Sequence, residues 1–233
     1  LLKAKSEGFP SLINSSIDSG FHNKSFGGSY NSKKSKTETD VSTWISKGTT
    51  EYLNFESKPL SQNYENSAHS VNFKFKHNEP YLLFLNLASS EDLINQNQFN
   101  DLNQKDVTET DNQNIQFMVY SPSDKDFSYI VGCEQEKQRV NYSSFGTRFN
   151  KNIRTTSFFI ENTIQLNAGY FGINLRFSDH DSYGTNQSWN IGYKRALNQQ
   201  WLFRFNSGSA FRSPNSSELY GYGSNLYLKP EIS

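Results

Sequence analysis

Two stretches of this 233-residue chain gather side chains that could do chemistry. Asp179-His180-Asp181 sets an imidazole between two carboxylates, the makings of a metal cluster or an acid/base site. Between Ser90 and Gln113 stand Glu91, Asp92, Asp101, Asp106, Glu109 and Asp111. Hard cations need several such oxygens drawn from a flexible loop. Neither stretch matches a fixed motif. No second histidine lies near His180 in sequence, so solvated loop residues are the simpler account of it. His22, His69 and His77 are scattered without zinc-ligand spacing. Cys133 is alone, which leaves neither a disulfide framework nor a cysteine metal site. There is no glycine-rich phosphate loop, nucleophile elbow or cysteine–histidine arrangement. These absences argue against covalent catalysis, and the expectation is a protein that is not an enzyme.

Bulk composition narrows the class. The 23 basic and 23 acidic residues cancel, so no field favours nucleic acid, and no basic run suggests anionic lipid. Only 34% of residues are hydrophobic, and no apolar run approaches the roughly 18 residues that cross a bilayer as a helix. Yet aromatics reach 15%, where a disordered chain is poor in them. A polar chain with many aromatics suits a transmembrane barrel, in which only the outward half of each strand meets lipid.

The elements that must carry these side chains are strands. His69–Lys76 sets Val71, Phe73 and Phe75 against Asn72, Lys74 and Lys76. In 152–166, Phe158, Ile160, Ile164 and Leu166 oppose Ser157, Glu161, Thr163 and Gln165; in 170–178, Phe171, Ile173, Leu175 and Phe177 oppose Gly172, Asn174 and Arg176. Further strands are expected at 12–21, 25–33, 37–47, 81–88, 114–120, 127–139, 187–194 and from Trp201, about eleven in all. Gly27-Gly28 falls inside one of them, as a bulge or bend would. Short links near 34–36, 77–80, 121–126, 166–169 and 196–200 alternate with longer polar ones near 49–68, 89–113, 141–151, 179–186 and 212–230. Outer-membrane barrels have this asymmetry, with tight periplasmic turns and long external loops. Lys74, Lys76, Glu161, Arg176, Arg204 and Arg212 then belong to a polar lumen. Trp189, Tyr193, Trp201, Phe203, Phe205 and Phe211 face outward.

The last quarter is the most specific. Trp201, Phe203 and Phe205 alternate with polar residues into Phe211-Arg212-Ser213-Pro214. Then come Glu218-Leu219-Tyr220 and Asn225-Leu226-Tyr227-Leu228-Lys229-Pro230-Glu231. This segment resembles the late-barrel signature of TonB-dependent outer-membrane receptors, closest in wording to the cobalamin and siderophore branch. Arg212, Pro214, Glu218, Leu219, Tyr220, Asn225, Leu228, Pro230 and Glu231 carry the resemblance; Leu226 and Tyr227 depart from it. The resemblance implies an all-β fold: part of an antiparallel, up-and-down transmembrane β-barrel, about half of some 22 strands. Residues 1–233 are then a partial barrel domain, with the plug domain and the C-terminal strands lying outside the chain. The implied function is active import of a scarce, large nutrient, a cobalamin or ferric siderophore, driven through the TonB complex by way of the plug. The implied partners are outer-membrane lipid, TonB and a small-molecule nutrient, with no nucleic acid. No cofactor is expected, save that calcium could order the acidic loop at 90–113, as it does early external loops of cobalamin transporters. A passive porin-type channel and a soluble β-sandwich binding module are the alternatives. Strands of nine to fifteen residues favour a tilted membrane crossing over a sandwich.

Overall fold

The computed structural model describes residues 1–10, 17–54, 56, 58–76, 81–98, 103–121, 127–144, 146–166, 169–220 and 224–233. Eleven of its strands form one sheet in which every strand hydrogen-bonds to its neighbours in sequence. They are β1 (Leu2–Pro10), β2 (Asp18–Lys33), β3 (Thr37–Leu53), β4 (Pro59–Lys76), β5 (Leu82–Asn97), β6 (Lys105–Ser121), β7 (Phe127–Ser144), β8 (Thr147–Leu166), β9 (Gly169–His180), β10 (Gly184–Ala196) and β11 (Leu202–Ser209). All ten pairings are antiparallel. The sheet does not close: β1 pairs only with β2, and β11 only with β10. A short β12 (Phe211–Arg212), a one-turn helix α1 (Ser216–Tyr220) and β13 (Glu231–Ile232) follow.

The expected strands are found, but several are far longer. Most of 49–68 and 89–113, expected as external loops, is ladder: β3 runs to Leu53, β4 starts at Pro59, and β5 and β6 leave only 98–104 between them. β7 runs to Ser144 and β8 starts at Thr147, and the link at 181–183 is a tight turn. The error has a physical cause. Above the membrane a barrel strand meets water on both faces, so its sequence is polar throughout and reads as loop although the ladder continues. Gly27-Gly28 makes no bulge; the β2–β3 register runs unbroken from Phe21↔Thr50 to Lys33↔Glu38. Asp18–Phe21 and Ser25–Lys33 belong to one strand, Ile17 lies just before it, and positions 12–16 of the expected 12–21 strand lie outside the described residues. The turns at 77–80 and 122–126 likewise lie outside them.

Residues directly opposite in an antiparallel pair share a face, so the register assigns the faces. Phe158, Ile160, Asn162 and Ile164 oppose Phe177, Leu175, Ile173 and Phe171. Leu175 and Ile173 oppose Trp189 and Ile191, and Tyr193 and Arg195 oppose Phe205 and Phe203. Arg176, Arg204 and Asn206 fall on the other face, opposite Ser188, Lys194 and Gly192. The expected alternation holds across four strands. On the apolar face the rows nearest the tight turns 34–36 and 197–201 are Leu83, Leu85 and Leu87 on β5, with Val119, Phe117 and Ile115 on β6. Val131 and Cys133 continue them on β7. Towards the other end the same face becomes polar: Ser89 and Glu91, Gln113 and Asp111, Lys137 and Arg139. An apolar band with a polar extension beyond one side is the profile of a barrel wall crossing a membrane.

This band has no cover within the chain. Among the described residues only Leu60, Val140 and Leu219 are buried apolar side chains, while Phe158 is 62% exposed and Phe205 52%. A soluble sandwich would bury one face of each sheet against the other. No helix is long and apolar enough to cross a membrane, which says nothing about strands.

Candidate functional site: the folded-back corner and the polar wall beneath it

Hydrogen bonds tie residues 210–220 to residues 225–233. Pro214 has no N–H to donate, and β12 ends two residues before it. After Pro214, Asn215 caps α1: its Oδ1 accepts the Glu218 N–H (2.9 Å), and the Glu218 carboxylate accepts the Asn215 N–H (2.8 Å). This reciprocal pair is a capping box with Asn in the Ser/Thr position. The other carboxylate oxygen takes a 2.6 Å hydrogen bond from Arg212 Nη2, and Arg212 Nη1 donates to Glu231 at 3.0 Å. The Arg212 guanidinium, with the Asn215 N–H behind it, holds the Glu218 carboxyl below the usual carboxylate range. Asn225 N–H donates to the Glu218 carbonyl (3.0 Å), and Leu228 N–H to the Asn225 carbonyl (3.3 Å). Ala210 and Ser233 exchange two backbone hydrogen bonds, extending the β12–β13 pairing Phe211↔Ile232 and Arg212↔Glu231.

The corner folds onto the polar face. Pro214, Ser216 and Leu219 are buried. Ser216 Oγ donates to Gln138 Oε1 on β7 at 3.4 Å, and Tyr220 packs on Phe149 of β8 with ring centroids 4.5 Å apart. Phe149 stacks in turn on Tyr142 at 5.1 Å, and the Lys151 ammonium lies 5.8 Å over the Tyr220 ring. A segment that leaves β11 and touches β7 and β8 must cross a concave face, so the polar face is the inner one. Of the nine signature residues, Arg212, Glu218, Asn225, Leu228 and Glu231 are joined by hydrogen bonds. Pro214, Leu219 and Tyr220 pack inward, and Pro230 leads into β13. Sequence reading did not find Asn215, Gln138 or Phe149. The Asn-x-x-Glu spacing at 215–218 was the signal available for the first; the other two are joined to the corner only by the fold.

Below the corner lies a groove of about 640 Å³, lined by Trp44, Ser70, Ala88, Asn114 and Thr155 and closed above by Ser213–Asn215. Asn114 in its lining belongs to a polar network over four strands. Asn114 Nδ2 donates to Glu134 Oε1 (2.6 Å), and Arg176 Nη2 donates to Glu134 Oε2 (2.5 Å) and Ser157 Oγ (2.9 Å). Ser157 bonds Ser178 at 2.9 Å. The Arg176 guanidinium also lies 5.8 Å from the Phe159 ring centroid. Gly132 makes room for that ring: a Cβ there would stand 2.4 Å from Phe159 Cζ and 2.9 Å from the Phe117 carbonyl.

The two stretches that first suggested chemistry resolve differently. His180 is buried, not solvated: its Nδ1 accepts the Ser182 N–H at 3.1 Å, and its ring packs on Tyr183 at 5.1 Å. Asp181 accepts the Arg154 backbone N–H at 3.0 Å. These residues close the β9–β10 turn. Of the six acidic residues in 90–113, Glu91, Glu109 and Asp111 bring oxygens within 4.8 Å of one another. They stand on the ladders of β5 and β6, not on a loop, and Arg139 pairs with both Asp111 and Glu109. Asp106 accepts from Gln98 Nε2 at 2.8 Å, and Asp101 lies outside the described residues.

An open antiparallel meander, apolar outside and polar within, with a folded-back corner at one rim, has the build of part of a transmembrane β-barrel wall. The comparisons agree: the family model for the β-barrel of TonB dependent receptor-like proteins matches residues 10–233, and the chain belongs to that family. Its members' barrels are outer-membrane proteins of Gram-negative bacteria. Over 105 residues it is 30% identical to a vitamin B12 transporter, BtuB, of Photobacterium profundum, covering 44% of this chain and 17% of that protein. In structure it is similar to the ferric enterobactin receptor PfeA of Pseudomonas aeruginosa (TM-score 0.74, 14% identity, 87% of this chain and 35% of that one). It is also similar to the siderophore receptor PirA of Acinetobacter baumannii (TM-score 0.75, 17% identity, 92% and 38%). The chain thus spans less than half the length of each, and these relatives are transporters and receptors, not enzymes.

Proposed function

We propose that residues 1–233 are about half the wall of a receptor that imports a scarce, large nutrient of the cobalamin or ferric-siderophore class. A plug domain fills the lumen and couples transport to TonB. The reading rests chiefly on the corner, where Arg212, Glu218 and Glu231 converge. These three residues belong to the signature through which the chain resembles TonB-dependent receptors, and the family model that matches residues 10–233 is of that class. Residues 231–233 pair with the strand end beyond β11, which suits the start of a further wall strand. The inner polar face, with Arg176 and Glu134, suits contact with a hydrated plug. The apolar outer band suits lipid.

The test is uptake. The complete receptor is expressed in cells lacking cobalamin and siderophore receptors, and labelled cyanocobalamin and a ferric siderophore are supplied at nanomolar concentration. Accumulation of one, abolished by an uncoupler, supports the proposal. Entry of both at a rate the uncoupler leaves unchanged supports a passive channel and overturns it.

A further inference from the structure

Trp44 of β3 is a large ring set in the polar inner wall, opposite Gly27 of β2 on one side and Ala68 of β4 on the other. Nothing larger than a methyl group flanks the indole in its row. The residue is 43% exposed, and among the described residues its ring N–H has no hydrogen-bond partner. The same row runs on through Ser90 of β5 and Asn112 of β6 to Gln138 of β7. Hydrogen bonds make it a rail: Gln138 Nε2 donates to Asn112 Oδ1 (2.9 Å), and Asn112 Nδ2 donates to Ser90 Oγ (3.3 Å). The corner anchors the far end, where Ser216 holds Gln138. Each amide keeps one N–H and one carbonyl lone pair to spare.

Trp44, Asn112 and Gln138 all line the groove of about 640 Å³ beneath the corner. On β7 the outer face turns polar after Cys133, and Gln138 stands five residues, about 16 Å along the strand, further out. The rail therefore belongs to the external rim, which an arriving nutrient meets. This rim is short of cations. On the inner wall from Glu136 outward, Asp92, Asp106 and Glu136 outnumber Lys151 among the described residues. In the corner, Arg212 and Lys229 are balanced by Glu218 and Glu231. Lys137, also in the groove's wall, carries its side chain to the outer face, in the row of Gln113. Such a rim repels a polyanion. An exposed indole beside oriented amides suits a neutral ligand with amides of its own.

We propose that Trp44, Asn112 and Gln138 form a contact site for a neutral, amide-bearing nutrient, one apolar face of which lies on the indole. The inference rests on the import reading and deepens it, selecting a neutral ligand over a ferric catecholate of high negative charge.

The test is saturable binding to cells that carry the complete receptor and lack other cobalamin and siderophore receptors. The probes are cyanocobalamin, a neutral ferric trihydroxamate peptide and a trianionic ferric tricatecholate. One of the neutral probes should bind, and the tricatecholate should not compete with it. Trp44→Ala should weaken that binding about tenfold and Trp44→Phe only about twofold. Asn112→Ala should weaken it about fivefold. Every value is taken per folded receptor, read from heat-modifiable migration on gels. Binding per folded receptor that Trp44→Ala leaves unchanged overturns the inference, and a fall in folded receptor alone would then assign the indole to packing. Binding of the tricatecholate with neither neutral probe bound also overturns it, while leaving the import reading in place. Failure of all three probes to bind overturns the import reading as well.

Discussion

Arg212 and Glu218 are six residues apart, and their 2.6 Å hydrogen bond joins the end of the barrel ladder to the first turn of α1. Arg212 holds Glu231 as well, so one guanidinium fixes both the start and the end of the corner. A planar fork spans two carboxylates in a way that an ammonium cannot. Arg212→Lys is therefore expected to loosen 213–230 while leaving the wall intact. Limited proteolysis of assembled receptor on intact cells reads this directly, as faster cleavage within 213–230 at unchanged barrel level.

The same contact sets a pH dependence. The folded state depresses the Glu218 carboxyl, chiefly through Arg212 and next through the Asn215 N–H. A depressed carboxyl stabilises the corner at any pH above its ordinary value. That contribution is lost as pH falls through the lower, folded value. Hydrogen-exchange protection over 211–220, taken relative to the intrinsic rate at each pH, should hold from neutral pH down to the ordinary glutamate range and fall away only below it. In Glu218→Gln that protection should be weak already at neutral pH.

Tyr220 caps the Phe149–Tyr142 stack on the inner face. Aromatic pairs of this kind contribute about 0.5–1.5 kcal/mol beyond buried area. Tyr220→Ala should leave assembled receptor at normal levels and weaken nutrient binding on whole cells. A receptor that fails to assemble would make the corner purely structural.

Inside the wall, Glu134 is nearly enclosed, its side chain 11% exposed, and Arg176 neutralises it. Arg176→Leu strands that carboxylate. The loss should be about 1–2 kcal/mol, below that of a fully buried pair because Arg176 is itself part-exposed. Arg204→Leu, with no such partner among the described residues, should cost less. Thermal unfolding in detergent separates the two.

Much of this was legible in the sequence because a barrel strand has period two and one of its faces is apolar. Val71, Phe73 and Phe75, or Ile173 and Leu175, announce both strand and face. The strand count came out right through compensating errors. The expected 12–21 and 25–33 strands gave way to the single β2, and β1 was not foreseen. Its residues Lys3, Lys5, Ser6 and Glu7 alternate with little that is apolar, as an edge strand does. The upper halves of β3 to β6 were read as loops because both their faces are polar. The corner was legible as a motif, not as a geometry: nothing local to 212–220 reveals that Gln138 and Phe149 receive it. His180 misled because a histidine flanked by two aspartates suggests solvent, whereas its ring closes a turn.

The outward band gives the sharpest single-residue contrast. Ile173→Lys places a cation in lipid at mid-band, at about 2–4 kcal/mol, whereas Asn174→Lys places it in the lumen. The first should sharply reduce heat-modifiable, folded receptor in outer-membrane fractions, and the second should leave it near normal.

The most direct test of the wall itself is a spin-label scan along β8 of the assembled receptor in bilayers, one position at a time from 157 to 164, in a background with Cys133 replaced. Collision with oxygen, which concentrates in lipid, should peak at 158, 160, 162 and 164, and collision with a water-soluble nickel chelate at 157, 159, 161 and 163. Labels at Phe158 and Ile160 that meet the chelate as freely as those at Ser157 and Glu161, with no period of two, would contradict the account.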